Sequence, residues 1–190
     1  MRRVRFLVAA VMLPALSGCS SVTTSPSVTG TLAVMLEDSP FSDARAVLVT
    51  FTTVSAHISG GDFTSLPFAA GASSRTCDLK RLTTAQDVLG TGALPPGHYT
   101  QLRLVISSAT LYFDAPSLGS SACAATVSGL TGRTAPITIP SGDLKLNREF
   151  DVTANATTTI LLDFNGDQSI TDTGNGRYMM TPVINVVSVQ

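Results

Sequence analysis

Apolar residues recur at every second position through much of this chain, and that period belongs to strands. Leu32, Val34 and Leu36 alternate with Ala33 and Met35 until Asp38-Ser39-Pro40 interrupts the run. Val47, Val49 and Phe51 point one way and Thr50 and Thr52 the other, up to the turn at Gly60-Gly61-Asp62. Further runs cover residues 99–106, 110–113, 136–139, 149–152, 158–164 and 179–189. Pro95-Pro96-Gly97, Ser141-Gly142-Asp143, Asn165-Gly166-Asp167 and Gly174-Asn175-Gly176 supply turn chemistry between them. Seven or eight short strands with frequent turns predict an all-β, immunoglobulin-like sandwich, one domain over residues 30–190. The one helical stretch the spacing suggests is residues 79–89, and the chain has no internal repeat.

The first residues follow a different logic. Arg2, Arg3 and Arg5 precede an apolar run over residues 6–16 that only Pro14 breaks. A helix crossing the hydrocarbon of a bilayer needs about 20 residues, so this run has the length of a signal-peptide core instead. Leu16-Ser17-Gly18-Cys19 then matches the lipobox of bacterial lipoproteins: an aliphatic residue, two small residues that fit the peptidase cleft, and a thiol to carry diacylglycerol. The expected product begins at Cys19, is held on a membrane by two or three acyl chains, and loses residues 1–18. Ser20 follows the cysteine, and by resemblance to Gram-negative lipoproteins the absence of Asp there directs the product to the outer membrane. Residues 20–29 are polar and read as a flexible tether reaching at most about 35 Å.

Removing the leader changes the charge. It takes Arg2, Arg3 and Arg5 from the twelve basic residues and none of the thirteen acidic ones, so the net charge moves from −1 to about −4. No basic cluster survives in the sequence, which argues against a nucleic-acid partner, whose phosphates need neutralising. Cys77 and Cys123 are the other two cysteines. In an oxidising envelope such a pair is expected to be bridged, and metal binding would need further ligands at short spacing.

Five segments together resemble one bacterial family. They are Gly30-Thr-Leu-Ala-Val-Met-Leu-Glu-Asp-Ser-Pro40, Leu94-Pro-Pro-Gly-His-Tyr-Thr-Gln-Leu-Arg-Leu104, Leu144-Lys-Leu-Asn-Arg-Glu-Phe150, Leu161-Leu-Asp-Phe164 and Gly176-Arg-Tyr-Met-Met-Thr-Pro-Val-Ile184. Their order and content are similar to the domain of unknown function 4382, usually carried by lipoproteins, and the resemblance extends to about Val187. It implies a transthyretin-like or carbohydrate-binding-like sandwich and no assigned activity. Cys77 and Cys123 are not part of that pattern. Within the second segment, two prolines and a glycine set a tight turn, and Tyr99 is expected at the sandwich corner with its hydroxyl bonded to backbone.

Candidate chemistry is sparse. Asp163, Asn165 and Asp167, with Ile170 following, resemble the opening of a calcium loop. Yet Gln168 stands where such loops need glycine and Gly174 where they need a bidentate acid, which favours an ordinary turn. His57 and His98 are the only histidines, and no nucleophile elbow, zinc motif or phosphate loop accompanies them. Asn155-Ala156-Thr157 fits a glycosylation pattern but reads as a polar turn. The chain has no Trp, and of Tyr99, Tyr112 and Tyr178 only the last two are free to offer a sugar platform. The expectation is therefore a lipid-anchored envelope module without cofactor or catalysis. Protein interaction leads, glycan recognition follows, and an enzyme comes third. An exposed apolar patch or strand edge would favour the first, and Tyr112 or Tyr178 in a polar groove the second. A deep pocket holding a histidine and a carboxylate would favour the third.

Overall fold

The computed structural model describes residues 27–39, 41–114, 121–126 and 130–190; Cys19 and most of the tether lie outside the described residues. The chain opens with β1 (Gly30–Ser39), β2 (Ala46–Ile58), β3 (Phe63–Ser65), a 3₁₀ turn (Ala69–Gly71), β4 (Arg75–Asp78) and a one-turn α1 (Leu79–Leu82). There follow β5 (Asp87–Leu94), β6 (Gly97–Tyr112), β7 (Cys123–Ala124), β8 (Thr134–Thr138), β9 (Asp143–Val152) and β10 (Thr157–Asn165). A second short helix, α2 (Gly166–Ser169), leads into β11 (Ile170–Gly174), β12 (Arg177–Met180) and β13 (Ile184–Val189).

These strands form two sheets with a sandwich-like arrangement. One has four strands in the order β13-β10-β1-β5; the other has nine, β11-β12-β8-β6-β2-β4-β7, with β3 added to β2 and β9 to β6. The alternation in β1 is what the core requires: Leu32, Val34 and Leu36 are buried, in parallel register with Thr158, Ile160 and Leu162 of β10. Val47, Val49, Phe51, Val54 and Ala56 of β2 and Leu102, Leu104, Ile106 and Leu111 of β6 join the same core. Full burial of a side chain such as Phe51 contributes about 1.5–3 kcal/mol. Bulges between Thr50 and Thr53 of β2 break the simple two-residue period, and the core set resumes at Val54 after Phe51. Tyr99 is fully buried, stacks on Phe150 at 5.3 Å, and donates its hydroxyl proton to Pro95 O at 2.8 Å, as the corner reading expects.

Three expectations need correction. The described residues form thirteen strands, not seven or eight. The runs at 99–106 and 110–113 are one strand, β6, while the run at 179–189 is interrupted around Pro182 and divides between the two sheets. Strands as short as β3, β7 and β12 carry too few residues for a period to show. The helix expected over 79–89 stops at Leu82, and residues 87–94 become β5. Asp87 and the packing of Gly90 and Gly92 decide this. A Cβ on Gly92 would lie 2.9 Å from Pro67 Cδ, so glycine lets the segment after β3 lie against β5. Finally, Asn165-Gly166-Asp167 is not a simple turn: Asn165 Oδ1 accepts from Gln168 N–H and caps α2.

Cys77 and Cys123 are directly opposite on β4 and β7 and form a disulfide. Beside it, Asp87 ties the sheets together. Its Oδ2 accepts from Cys123 N–H at 2.9 Å and its Oδ1 from the Arg75 guanidinium at 3.0 Å, so a β5 side chain holds both β4 and β7.

Candidate functional site

The groove with the richest chemistry lies where β6, β8 and β12 meet. The chain leaves β6 at Tyr112, and Phe113 N–H donates to Arg133 O just before β8 begins. β8 buries Ala135 and Ile137 and exposes Thr134, Pro136 and Thr138. β12 runs parallel to it, Tyr178 opposite Ile137 and Met179 opposite Thr138. The β11–β12 hairpin closes through Gly174, Asn175 and Gly176, all at positive φ, a turn that glycine and asparagine tolerate best.

This places the Phe113 and Tyr178 rings 5.9 Å apart, tilted by 41°, with the Arg133 guanidinium 5.7 Å from the Phe113 centroid. Arg133 is held in place by Asp114. Its Nη2 donates to Oδ1 at 2.9 Å, its Nε reaches both oxygens at 3.2 Å, and its own backbone N–H donates to Oδ2 at 2.8 Å. The Arg133 side-chain bonds hold the Asp114 carboxyl below the usual carboxylate range, and the same bonds raise the guanidinium.

Three depressions join here. One of about 350 Å³ is lined by Phe113, Arg133, Thr134, Ala135, Gly176 and Tyr178. A second, about 410 Å³, shares Gly176 and Tyr178 and adds Pro136, Thr138, Thr173, Arg177 and Met179. A third, about 440 Å³, shares Phe113 and adds Ser42, Asp43, Ala44, Arg45 and Lys80. Together they make an open track in which Phe113 and Tyr178 are shared between neighbouring depressions, threonine hydroxyls line two of them and cationic side chains all three. Such surfaces suit an elongated ligand with apolar faces and polar edges.

The other candidate residues sit elsewhere. His98 Nδ1 lies 2.9 Å from Asp151 Oδ1, and both side chains are exposed. His57 Nδ1 bonds Thr100 Oγ1 at 3.1 Å, and its ring lies 4.8 Å from Phe63. Phe63 is exposed on the outer face of the nine-stranded sheet, but the Arg103 guanidinium stacks over its ring at 4.4 Å, so that aromatic face is already covered. Neither histidine lines the groove. Asp163 accepts from Ser39 Oγ at 3.2 Å, Asn165 caps α2, and Asp167 is exposed on the first turn of that helix. Asp163 and Asn165 thus belong to β10 and Asp167 to the helix after it, and among the described residues no three His, Cys, Asp or Glu side chains form a group able to hold a metal ion.

A second site, unforeseen in the sequence, is inside. Asp38, 7% exposed, lies beside Phe164 in the β1–β10 register, with Oδ1 accepting from Gly166 N–H at 3.1 Å and Oδ2 without a partner. Burial pushes its carboxyl up to about 8; Asp163 and Asp78 add to the rise, while the Gly166 bond and Lys80 oppose it. The signal was the strand period itself, since Asp38 continues the inward set of Leu32, Val34 and Leu36. For the groove, Tyr178 was named from composition; Phe113 and Arg133 were not.

Comparison with known proteins adds a family and little else. No curated protein matches the chain. Among solved structures, a leucine-rich repeat protein from Bacteroides thetaiotaomicron aligns at 18% identity with a TM-score of 0.24, over 74% of this chain and 14% of that one, a likeness too slight to bear on fold or function. Residues 29–182 match the family described as Domain of unknown function (DUF4382). The chain belongs to the DUF4382 family.

Proposed function

We propose that this protein is a lipid-anchored binding module of the bacterial cell envelope whose groove holds a glycan. The single supporting observation is Tyr178, a partly exposed ring shared by two depressions and flanked by Thr134, Thr138, Arg133 and Arg177. The sugar's C–H faces rest on Tyr178 and Phe113, and its hydroxyls exchange hydrogen bonds with the threonines and arginines. Among the described residues, the large exposed hydrophobics Val28, Phe63, Met179 and Val187 come from the segment before β1 and from three different strands. A protein partner is the second reading, favoured by the edge strand β13, which is paired on one side to β10 and exposes Val187.

The test is native affinity electrophoresis of the full-length protein in non-ionic detergent, through gels containing envelope and plant polysaccharides. Retardation by at least one polysaccharide, reduced at least tenfold in affinity by Tyr178→Ala, is the expected result. No retardation in any gel, together with one protein crosslinked to β13 in intact cells, would replace the glycan with a protein partner. The anchor is tested separately: Cys19→Ala should leave an uncut precursor that takes up no labelled palmitate, and normal maturation of that variant would remove the anchor.

A further inference from the structure

Building on the glycan reading, we infer that the ligand is an acidic polysaccharide, a polymer carrying uronate carboxylates. The charges of the track lead there. Three of the twelve basic residues belong to the leader, and of the other nine, four line the three joined depressions: Arg45, Lys80, Arg133 and Arg177. The whole chain carries a net charge of −1, so this concentration is local.

The acids nearby are held by hydrogen bonds, which leave their charge in place except where Arg133 offsets that of Asp114, so the cations of the track outnumber them only slightly. Asp43, the one acid that lines the track, accepts from Ser42 Oγ at 3.1 Å. Asp114 is taken up by Arg133, and Asp172, opposite Tyr178, accepts from Gly174 N–H at 2.7 Å. Lys80 Nζ gives one proton to Phe41 O at 2.7 Å and keeps two for a ligand. Arg45 and Arg177 are exposed and line different depressions of the track.

A neutral glycan would use the rings and the threonines and leave these cations facing water. A polymer with a carboxylate on each sugar meets Arg45 and Lys80 in the depression that shares Phe113 and Arg177 in the one that shares Tyr178, while Arg133 stays paired to Asp114. Guanidinium forks match carboxylates in shape as well as charge, and the pyranose ring that carries the acid supplies the apolar face for Tyr178. Charge sets the attraction and the rings set the class of polymer.

The experiment compares polygalacturonate, neutral galactan and poly-glutamate in the same electrophoresis, with the wild type and the Arg45→Gln/Arg177→Gln double variant. The expected result is tighter binding to polygalacturonate than to galactan or poly-glutamate. Its affinity should fall at least tenfold between low and threefold higher salt, because several ion pairs are screened together. The ratio of polygalacturonate to galactan affinity should also fall at least tenfold in the double variant, with an unchanged melting temperature. Galactan binding as tight as polygalacturonate, or a ratio unmoved in the double variant, overturns the acidic specificity and leaves the glycan reading standing. Poly-glutamate binding as tight as polygalacturonate overturns it too, since the track would then read charge without sugar. No binding to either polysaccharide overturns the acidic specificity, and the glycan reading then stands or falls on the wider set of gels.

Discussion

Asp38→Asn is the perturbation that tests the interior most directly. The carboxyl sits at the end of β1 with one oxygen bonded to Gly166 N–H and the other unpartnered and buried, and its pKa stands at about 8 against the usual 3.8. A group whose pKa is raised on folding holds its proton more tightly in the native state. Its contribution is complete below pH 3.8 and is lost as the pH climbs through about 8. At roughly 1.4 kcal/mol per unit the whole shift would amount to about 5–6 kcal/mol. Relaxation and water entry at the strand end reduce that to about 2–3 kcal/mol of slope between pH 4.5 and 8.5. Asparagine copies the protonated acid and cannot ionise, so its variant should lack this slope, matching the wild type near pH 4.5 and exceeding it by about 2 kcal/mol at pH 8.5. The assay is urea unfolding of both proteins across that range with the disulfide intact. Subtracting one curve from the other cancels every group the two share. Parallel curves from pH 5 to 8 would refute the assignment of a buried, uncompensated carboxyl at Asp38.

Three further outcomes follow from contacts already described. Replacing Cys77 and Cys123 by serine opens a loop spanning 46 residues in sequence and should cost about 4 kcal/mol in the chain-entropy account, read as a lower urea midpoint. Asp87→Ala leaves the Arg75 guanidinium buried without its carboxylate and should destabilise by about 3 kcal/mol, whereas Asp87→Ala paired with Arg75→Met should recover part of that loss in a double-mutant cycle. Tyr99→Phe removes the bond to Pro95 O while keeping the stack on Phe150, at about 1 kcal/mol; a loss above 3 kcal/mol would mean the ring itself had moved.

The parts legible in the sequence were those whose cause is local. Leu32, Val34 and Leu36 announce β1 because a strand with one buried face must alternate, and Pro95-Pro96-Gly97 with Tyr99 announces the corner because each residue acts on its neighbours. Cys77 and Cys123 were paired by compartment and number rather than by geometry. What escaped depends on distant chain. β5 hides its period behind Gly90 and Gly92, and the missing side chain of Gly92 makes sense only against Pro67. The groove was invisible for the same reason: Phe113 and Arg133 meet through the β6–β8 pairing, and Tyr178 reaches them through a parallel pairing of β8 with β12. Asp163, Asn165 and Asp167 have a suggestive spacing, but Asp163 bonds Ser39, Asn165 caps α2 and Asp167 is exposed on that helix, and spacing alone does not encode that.

The position of β1 has a mechanical consequence. The tether enters the domain at Gly30, and from there β1 runs through the four-stranded sheet with β10 parallel on one side and β5 antiparallel on the other. A pull on the chain ahead of Gly30 acts along the strand axis. It loads the hydrogen bonds of both ladders together, in shear, instead of opening them one after another from an end. On the proposed reading, an anchored terminus and a groove holding a long polymer would stretch the domain between two points. The strand that takes up the load is then one that is paired along both of its edges.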